Sequence, residues 1–353
     1  MPSFKSTILV SDGSVAAPHV APNLQNSWGI AFGPTTPVRV SDNDTQKSSL
    51  YDGNGAVQSL VVTTTGRKRS TRESDRHRFQ QHHGLRRHSE WRNRQRGIHF
   101  CHPRRHDRGA GAAECTGLAI ASNAGTSMLY AADFHNGKVD MFDNTFMKIS
   151  AVGAFSDPTV PAGFNLFGIQ VVGTTIYVAN AKLGPDGHRD QSGAGNGVVD
   201  AFDTAGHLIR GIATTAPLNS PWGIAMALAN FGAFSNDLLI GNFGDGTINA
   251  FDPATGESKG PLTQADGSEV MQPGLWSLAF GNNADNQPSN TLFLRQVRRR
   301  RRVSMDAYIR RCSRLGCGAI PMRRSVNLGL LTCGLRSRRP NSRPVQATGC
   351  RVA

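Results

Sequence analysis

A short apolar segment that recurs along the chain is the feature that most constrains its fold. Copies begin near residues 28, 116, 167, 222 and 275, and they read WGIAF, TGLAIA, FGIQVV, WGIAM and LWSLAF. Each copy has the length and composition of a buried or half-buried β-strand. Because one such unit cannot bury its apolar face alone, the recurrence predicts that several units pack against one another.

Two further strands follow most copies of this segment. The first is VRVSDN (38–43), MLYAADF (128–134), TIYVANA (175–181) or DLLIGNF (237–243), and the second is NGKVDMFD, NGVVDAFD or DGTINAFD. Asn-Gly and Asp-Gly favour tight hairpins, so consecutive strands are expected to pair antiparallel. A unit of roughly 40 to 55 residues with this pattern predicts an all-β fold, a β-propeller of about six blades with four antiparallel strands each.

Positive charge is concentrated in two stretches of the chain. The net charge is +14, but residues 66–115 carry +9 and residues 295–353 carry +15, which leaves −10 for the remainder. All six cysteines and seven of the eleven histidines also lie in these stretches. Their spacings match no zinc-binding pattern, and no apolar run is long enough to predict a membrane-spanning helix.

These two stretches also interrupt the repeat, which suggests that they are read in the wrong frame. The first two copies of the apolar segment are 88 residues apart, about twice the usual spacing. A shifted reading of residues 74–108 permits a string that contains GIVF, DFVV and a DGTI hairpin. The predicted organisation is therefore a first blade (1–65), an out-of-frame segment in place of the second blade (66–115), blades three to six (116–294) and an out-of-frame, disordered basic tail (295–353). On this prediction the last blade loses its later strands.

The repeats resemble a known group of proteins. LVSDGSVAAPHVAPNLQNSWGIAF, NSPWGIAM and FGAFSNDLLIGNFGDGTINAFDPATG are similar to an uncharacterised family of bacterial β-propellers, some with a PEP-CTERM sorting tail. The resemblance covers residues 6–65 and 116–294. It implies an architecture like that of NHL and gluconolactonase propellers and an exported protein, extracellular or periplasmic, although MPSFKSTILVSDGS lacks the pattern of a signal peptide.

Polar residues recur where the second strand of each blade ends. They are Asp42, Asn43, Asp133, Asn180 and Asn242. Oxygen ligands in a ring at the mouth of the central channel would suit Ca²⁺, and Asp42, Asp133, Asn180 and Asn242 are the predicted metal ligands. The alternative is that these side chains bond to nearby backbone amides in turns.

Two other features carry candidate chemistry. The long loop at 183–196 contains Asp186, His188 and Asp190, which we predict to bind a ligand, although a mobile surface hairpin is the alternative. His135 lies close to Asp133 and is either a general base or a turn residue. Trp28, Trp222 and Trp276 head three blades and are expected to pack between blades rather than to stack on sugars.

Three functions are consistent with these observations. The first is a non-enzymatic propeller that binds a small molecule, a polysaccharide or an envelope protein, since no catalytic motif is recognisable. The second is a metal-dependent lactonase or hydrolase with its site at the channel mouth. The third, binding of nucleic acid through the Arg-rich stretches, is disfavoured because they have no aromatic interleaving and no recognisable module.

Overall fold

The fold is built from antiparallel β-sheets. The computed structural model describes residues 3–42, 44–63, 113–214, 216–296, 304–311 and 331–333, the last two as backbone only. Within these ranges the chain forms five sheets and a single three-residue 3₁₀ turn, Gly232–Phe234. The all-β prediction is thereby confirmed.

Four of the sheets each consist of four consecutive strands. Sheet A contains β3 (Ser27–Ala31), β4 (Val38–Asp42), β5 (Lys47–Tyr51) and β6 (Val57–Thr63); sheet B contains β7 (Cys115–Asn123), β8 (Thr126–Asp133), β9 (Lys138–Phe142) and β10 (Lys148–Ile149); sheet C contains β11 (Phe164–Val172), β12 (Thr175–Lys182), β13 (Gly197–Phe202) and β14 (Leu208–Thr214); sheet D contains β15 (Pro221–Met226), β16 (Leu238–Asn242), β17 (Ile248–Phe251) and β18 (Ser258–Pro261). Each is an antiparallel meander, as the hairpin signals predict.

The fifth sheet, sheet E, is closed by a strand from the beginning of the sequence. It contains β19 (Leu275–Phe280), β20 (Thr291–Gln296) and β21 (Ser304–Arg311), followed by β1 (Ile8–Ser11) and β2 (His19–Val20); β22 (Leu331–Cys333) pairs with β21. Ile8 is paired with Ala307 and Val10 with Met305 across β1 and β21. A strand from the start of the sequence thus takes the fourth position in the last blade, and β2 lies outside it.

The sheets follow one another around an axis in the order of the sequence. The first strand of each sheet contacts the first strand of the next, from β7 to β11, β15, β19 and then β3. These innermost strands are the five apolar copies recognised in the sequence. The sheets therefore form a propeller. Residues 64–112, which follow sheet A and precede sheet B in the sequence, lie outside the described part of the chain.

The core lies between the faces of successive sheets. Tyr130, Ile176 and Phe202 are buried together between sheets B and C. Leu238 and Ile240 join Val199 between sheets C and D, and a third cluster that includes Phe4 lies between sheets D and E. Strands buried on both faces explain why β12 and β16 are nearly continuous apolar runs.

Two of the predicted domain boundaries can be compared with the described strands. The predicted second blade lies almost entirely outside the described residues, so a sixth blade and a broken frame in residues 66–115 stay predictions. The sequence predicts that the last blade loses its later strands after Leu294, but β20 continues to Gln296, and β21 occupies the third position of sheet E. The described residues contain no helix that is long and apolar enough to cross a membrane.

Glycine allows the innermost strands to approach one another near the axis. A Cβ atom at Gly168 would overlap the backbone oxygen of Trp222, and one at Gly223 would lie 2.8 Å from the backbone oxygen of Trp276. Both contacts join neighbouring sheets. The close packing of neighbouring blades therefore requires the glycine that follows the aromatic residue in FGIQVV and WGIAM.

We predict that Gly168→Ala lowers the free energy of unfolding by about 1–3 kcal/mol, because the added methyl group must displace the backbone of the next blade. Gly211→Ala is the matched control, since the atom nearest to its Cβ is 3.7 Å away and its strand is outermost. Chemical denaturation of both variants measures the difference. Equal stability of the two variants would contradict this account of the packing.

Candidate functional site

Every innermost strand carries an irregularity in register near its beginning. The shift lies between Cys115 and Gly117 in β7, and the equivalent step occurs in β3, β11, β15 and β19. A β-bulge of this kind bends the strand and re-aims the side chain of the extra residue. The residues at the shifts are Trp28, Thr116, Phe167, Trp222 and Trp276.

Four aromatic side chains at this end of the propeller contact a fifth, that of Trp276. Its ring stacks on Trp28 with centroids 5.4 Å apart, and it meets Trp222 edge-on at 5.2 Å. Phe167 and Phe243 lie 6.0 Å and 4.8 Å from the same ring. We call these five residues, together with Phe134, the axial aromatic cluster. The three tryptophans thus come from the neighbouring sheets A, E and D and pack against one another between these blades, as the sequence predicts, and they do so at the axis.

Hydrogen bonds connect the bulged residues of different sheets. The indole N–H of Trp222 donates to the backbone oxygen of Thr116 at 3.0 Å, and the hydroxyl of Thr116 donates to the backbone oxygen of Phe167 at 2.6 Å. Sheets B, C and D are therefore joined by polar contacts around the aromatic rings. A buried indole N–H usually needs such a partner.

The predicted ring of polar residues occupies equivalent positions at the same end of the propeller. Asp42, Asp133 and Asn242 each end the second strand of a sheet and pair with the start of the innermost strand, and Asn180 lies two residues before the end of β12. The fifth equivalent residue is Gln296 in sheet E. Asp42, Asp133 and Asn242 thus lie at strand ends, as the sequence predicts, whereas Asn180 lies inside its strand; Asn43 lies outside the described residues.

Asp42 and Asn180 have buried polar partners within their own sheets. The carboxylate of Asp42 accepts hydrogen bonds from the hydroxyls of Ser27 and Ser49 at 2.7 and 2.9 Å. Burial raises the pKa of Asp42 to about 6, against the opposing effects of these hydroxyls and of the positive charge of Arg295. The amide of Asn180 donates to Asp200 at 3.0 Å.

Asp133 and Asn242 hold backbone turns. Asp133 is fully buried and accepts hydrogen bonds from the backbone N–H of Glu114 and from the side-chain amide of Asn136, at 2.9 and 2.7 Å. The side-chain oxygen of Asn242 accepts the backbone N–H of Asn219 at 3.0 Å. These contacts agree with the alternative that strand-end polar residues serve turns, and Ca²⁺ binding at this ring stays a prediction.

Glu114, His135 and His188 form a separate cluster that joins two sheets. Glu114 directly precedes β7, His135 follows β8, and His188 lies in the loop between β12 and β13 of the next sheet. Nδ1 of His188 lies 2.9 Å from a carboxylate oxygen of Glu114, and the two imidazole rings stack with centroids 4.7 Å apart. One ligand atom from each residue lies within 4.8 Å of the other two, and no other group of three such His, Cys, Asp or Glu residues occurs in the described ranges.

Internal hydrogen bonds close the loop that carries His188. The carboxylate of Asp186 accepts the backbone N–H groups of His188 and Arg189, and these bonds lower the pKa of Asp186. Leu183 and Asp190 form an antiparallel bridge at its base. Of the three loop residues predicted to bind a ligand, only His188 therefore joins the cluster; Asp186 shapes the turn, and the side chain of Asp190 accepts a hydrogen bond from Ser192.

The sequence identifies two of the three cluster residues and misses the third. Glu114 falls at the edge of the basic stretch that the charge pattern assigns to a broken frame, which hides it among residues without a place in the repeat. Its position two residues before TGLAIA, at the head of a recognised innermost strand, is the available signal. That His188 reaches it depends on the approach of two blades, which no local pattern encodes.

Comparison with known sequences finds relatives that are themselves uncharacterised. Over 168 residues the chain is 34% identical to an uncharacterised protein of Acanthamoeba polyphaga mimivirus, which covers 46% of this chain and 40% of that protein. A second uncharacterised protein of the same virus is 33% identical over 170 residues, covering 46% of this chain and 43% of that protein. The chain thus spans less than half the length of these curated relatives. No family model matches.

Similarity to solved structures is weak. A gluconolactonase of Xanthomonas campestris superimposes with a TM-score of 0.38 at 13% identity, covering 81% of this chain and 86% of that one. A glucose dehydrogenase gives a TM-score of 0.37 at 11% identity, covering 81% and 96%. The two sequence relatives described above are viral, and the expected bacterial origin and sorting tail stay predictions.

The buried carboxyl group of Asp200 generates a prediction for pH. Burial, with a further contribution from the nearby charge of Asp157, raises the pKa of Asp200 from 3.8 to about 7. A raised pKa means that the folded protein binds the proton more tightly, so this contribution to stability is complete below about pH 4 and is lost as the pH rises through 7. Asp200→Asn keeps an acceptor for Asn180 and removes this dependence.

The expected result is that the free energy of unfolding of the unmodified protein falls by a few kcal/mol, relative to that of Asp200→Asn, between pH 4 and pH 8. Denaturant titrations at several pH values across this range measure the difference. Parallel pH profiles for the two proteins would show that Asp200 does not titrate with a raised pKa.

Proposed function

We propose that this protein is a non-enzymatic binding propeller that holds a sugar ring of a polysaccharide on the axial aromatic cluster. The observation that carries the proposal is the repeated bulge, which brings an aromatic side chain to the axis in four of the five described sheets. Bulges that re-aim side chains are frequent next to binding and active sites. Because successive blades share this bulge, their aromatic side chains converge on one place at the propeller axis.

The exposure of the cluster supports a ligand. Trp28, Trp222 and Trp276 lie at the centre of the ring, and yet all three side chains stay partly exposed. Partly exposed aromatic rings that converge from several elements provide flat apolar surfaces with polar edges. Such surfaces are suited to the C–H faces of a sugar ring.

An ordered polar pair lies beside the start of β15, the strand that carries Trp222. Asn219 precedes β15 at this end of the propeller; its side-chain amide donates to Asp245 at 2.9 Å, and its side-chain oxygen accepts the backbone N–H of Gly193 at 2.7 Å. An apolar centre with a few ordered polar groups at its edge is the usual composition of a small-molecule site.

The alternative of a metal-dependent lactonase cannot be tested by substitution of Asp133, one of the predicted metal ligands. Asp133→Ala would remove the acceptor that holds Glu114 and Asn136, so loss of activity there would not distinguish catalysis from folding. Lactone hydrolysis that is abolished by a chelator and restored by a metal ion would favour the enzyme. Export to the envelope stays a prediction, as does the disfavoured binding of nucleic acid through the Arg-rich stretches.

We predict that Trp276→Ala weakens binding of a soluble β-glucan about tenfold or more, because Trp276 contacts the other rings of the cluster and its loss removes the central surface. Affinity electrophoresis in gels that contain the β-glucan measures the change. A parallel series with a soluble α-glucan and a galactomannan identifies the sugar preference.

Met147→Ala is the control, since this exposed apolar side chain lies outside the cluster. It should retain the mobility shift of the unmodified protein. Thermal unfolding of both variants separates a binding defect from a folding defect. If the unmodified protein migrates identically with and without all three polysaccharides, the proposed carbohydrate function is wrong.

A further inference from the structure

The cluster of Glu114, His135 and His188 has the donor set of a transition-metal site. Two imidazoles and one carboxylate are the three protein ligands found in a common class of zinc site, in which a fourth position stays open for water or a ligand. All three side chains are partly buried, and the side chains of His188 and Glu114 are 36% and 29% exposed. They are therefore accessible to an ion and yet held by the surrounding structure.

Hydrogen bonds orient the imidazole of His135 for metal binding. Its Nδ1 lies 2.7 Å from the backbone oxygen of Gly187. Because a carbonyl oxygen only accepts, Nδ1 must carry the hydrogen, and in the neutral ring the lone pair is then on Nε2. A metal-binding histidine whose other nitrogen donates to a backbone carbonyl is a recurrent arrangement.

The same contacts fix the parts of the site that come from different sheets. Asp133 holds the backbone of Glu114 in sheet B, and Asp186 holds the turn that presents His188 from sheet C. The bond from His135 to Gly187 then ties the two sheets together at the site itself. The ligands thus have supporting partners of the kind that positions metal-binding side chains.

We propose that Glu114, His135 and His188 bind a divalent transition metal ion of the Zn²⁺ class. Zinc bonds of about 2.0–2.2 Å require ligand atoms roughly 3.2–3.5 Å apart in a tetrahedral site. The three atoms lie within 4.8 Å of one another, so side-chain rotations that shorten these separations by at most about 1.6 Å complete the site. The nitrogen donors select against Ca²⁺, which prefers oxygen ligands.

This site differs from the ring of strand-end oxygens and is independent of any ligand on the aromatic cluster. Its ion would connect sheets B and C through their loops, with one coordination position open. The inference concerns binding alone, and no reaction is assigned to the ion.

The test is a Zn²⁺ titration of the full chain in competition with a chromophoric chelator. We expect that His135→Ala and His188→Ala each weaken the tightest binding event about tenfold or more, and that Glu114→Gln, which keeps the shape of the side chain, weakens it as well. His207→Ala is the matched control, because this histidine is exposed and bonds to Asp203 outside the cluster. Its affinity for Zn²⁺ should equal that of the unmodified protein.

Two further measurements keep the result interpretable. Zn²⁺ should raise the melting temperature of the unmodified protein and of His207→Ala but not that of His188→Ala, since only the folded site binds the ion. Co²⁺ should give visible d–d absorption without a thiolate charge-transfer band. Unchanged affinity in His135→Ala and His188→Ala, or a thiolate band that shows binding to cysteines, would overturn the proposal.

Discussion

The close approach of innermost strands around the axis is the constraint on which the rest of the structure depends. Gly168 and Gly223 allow the backbone of one blade to touch that of the next, and no side chain fits between them. With the strands this close, a regular ladder cannot also direct a large side chain toward the axis. The bulge resolves this conflict, because it lets a tryptophan or phenylalanine leave the ladder just before the glycine.

The same geometry relates the two candidate sites. The aromatic residues leave the innermost strands at one end of the propeller, and the second strands end there as well, so loops from neighbouring sheets converge at that end. At the equivalent position in sheet B, Thr116 carries no aromatic ring. Its backbone oxygen accepts a hydrogen bond from the indole N–H of Trp222. Glu114 lies two residues earlier, where the His–Glu cluster begins. Carbohydrate binding and metal binding are thus proposed for adjoining parts of one surface, with different chemistry and separate tests.

The sequence predicts the blades better than it predicts their closure. Period-two apolar strands and the Asn-Gly and Asp-Gly turns are local signals, and they place sheets B, C and D correctly. The position of β1 in sheet E depends on pairing with β21, about 300 residues away in a basic stretch, and nothing local specifies it. For the same reason His135 and His188 could be noticed separately, but their contact with Glu114 could not, because it arises from the packing of sheet B against sheet C.

The pairing of β1 with β21 also means that a strand made early in synthesis depends on a strand made late. Ile8 and Val10 emerge from the ribosome long before Ala307 and Met305, so β1 stays without its partner during most of synthesis. Pairings between distant segments fold slowly, and an unpaired strand edge is prone to wrong association. An error that removes β21 would therefore become visible as an unsealed edge at β1, where chaperones and proteases can recognise the product.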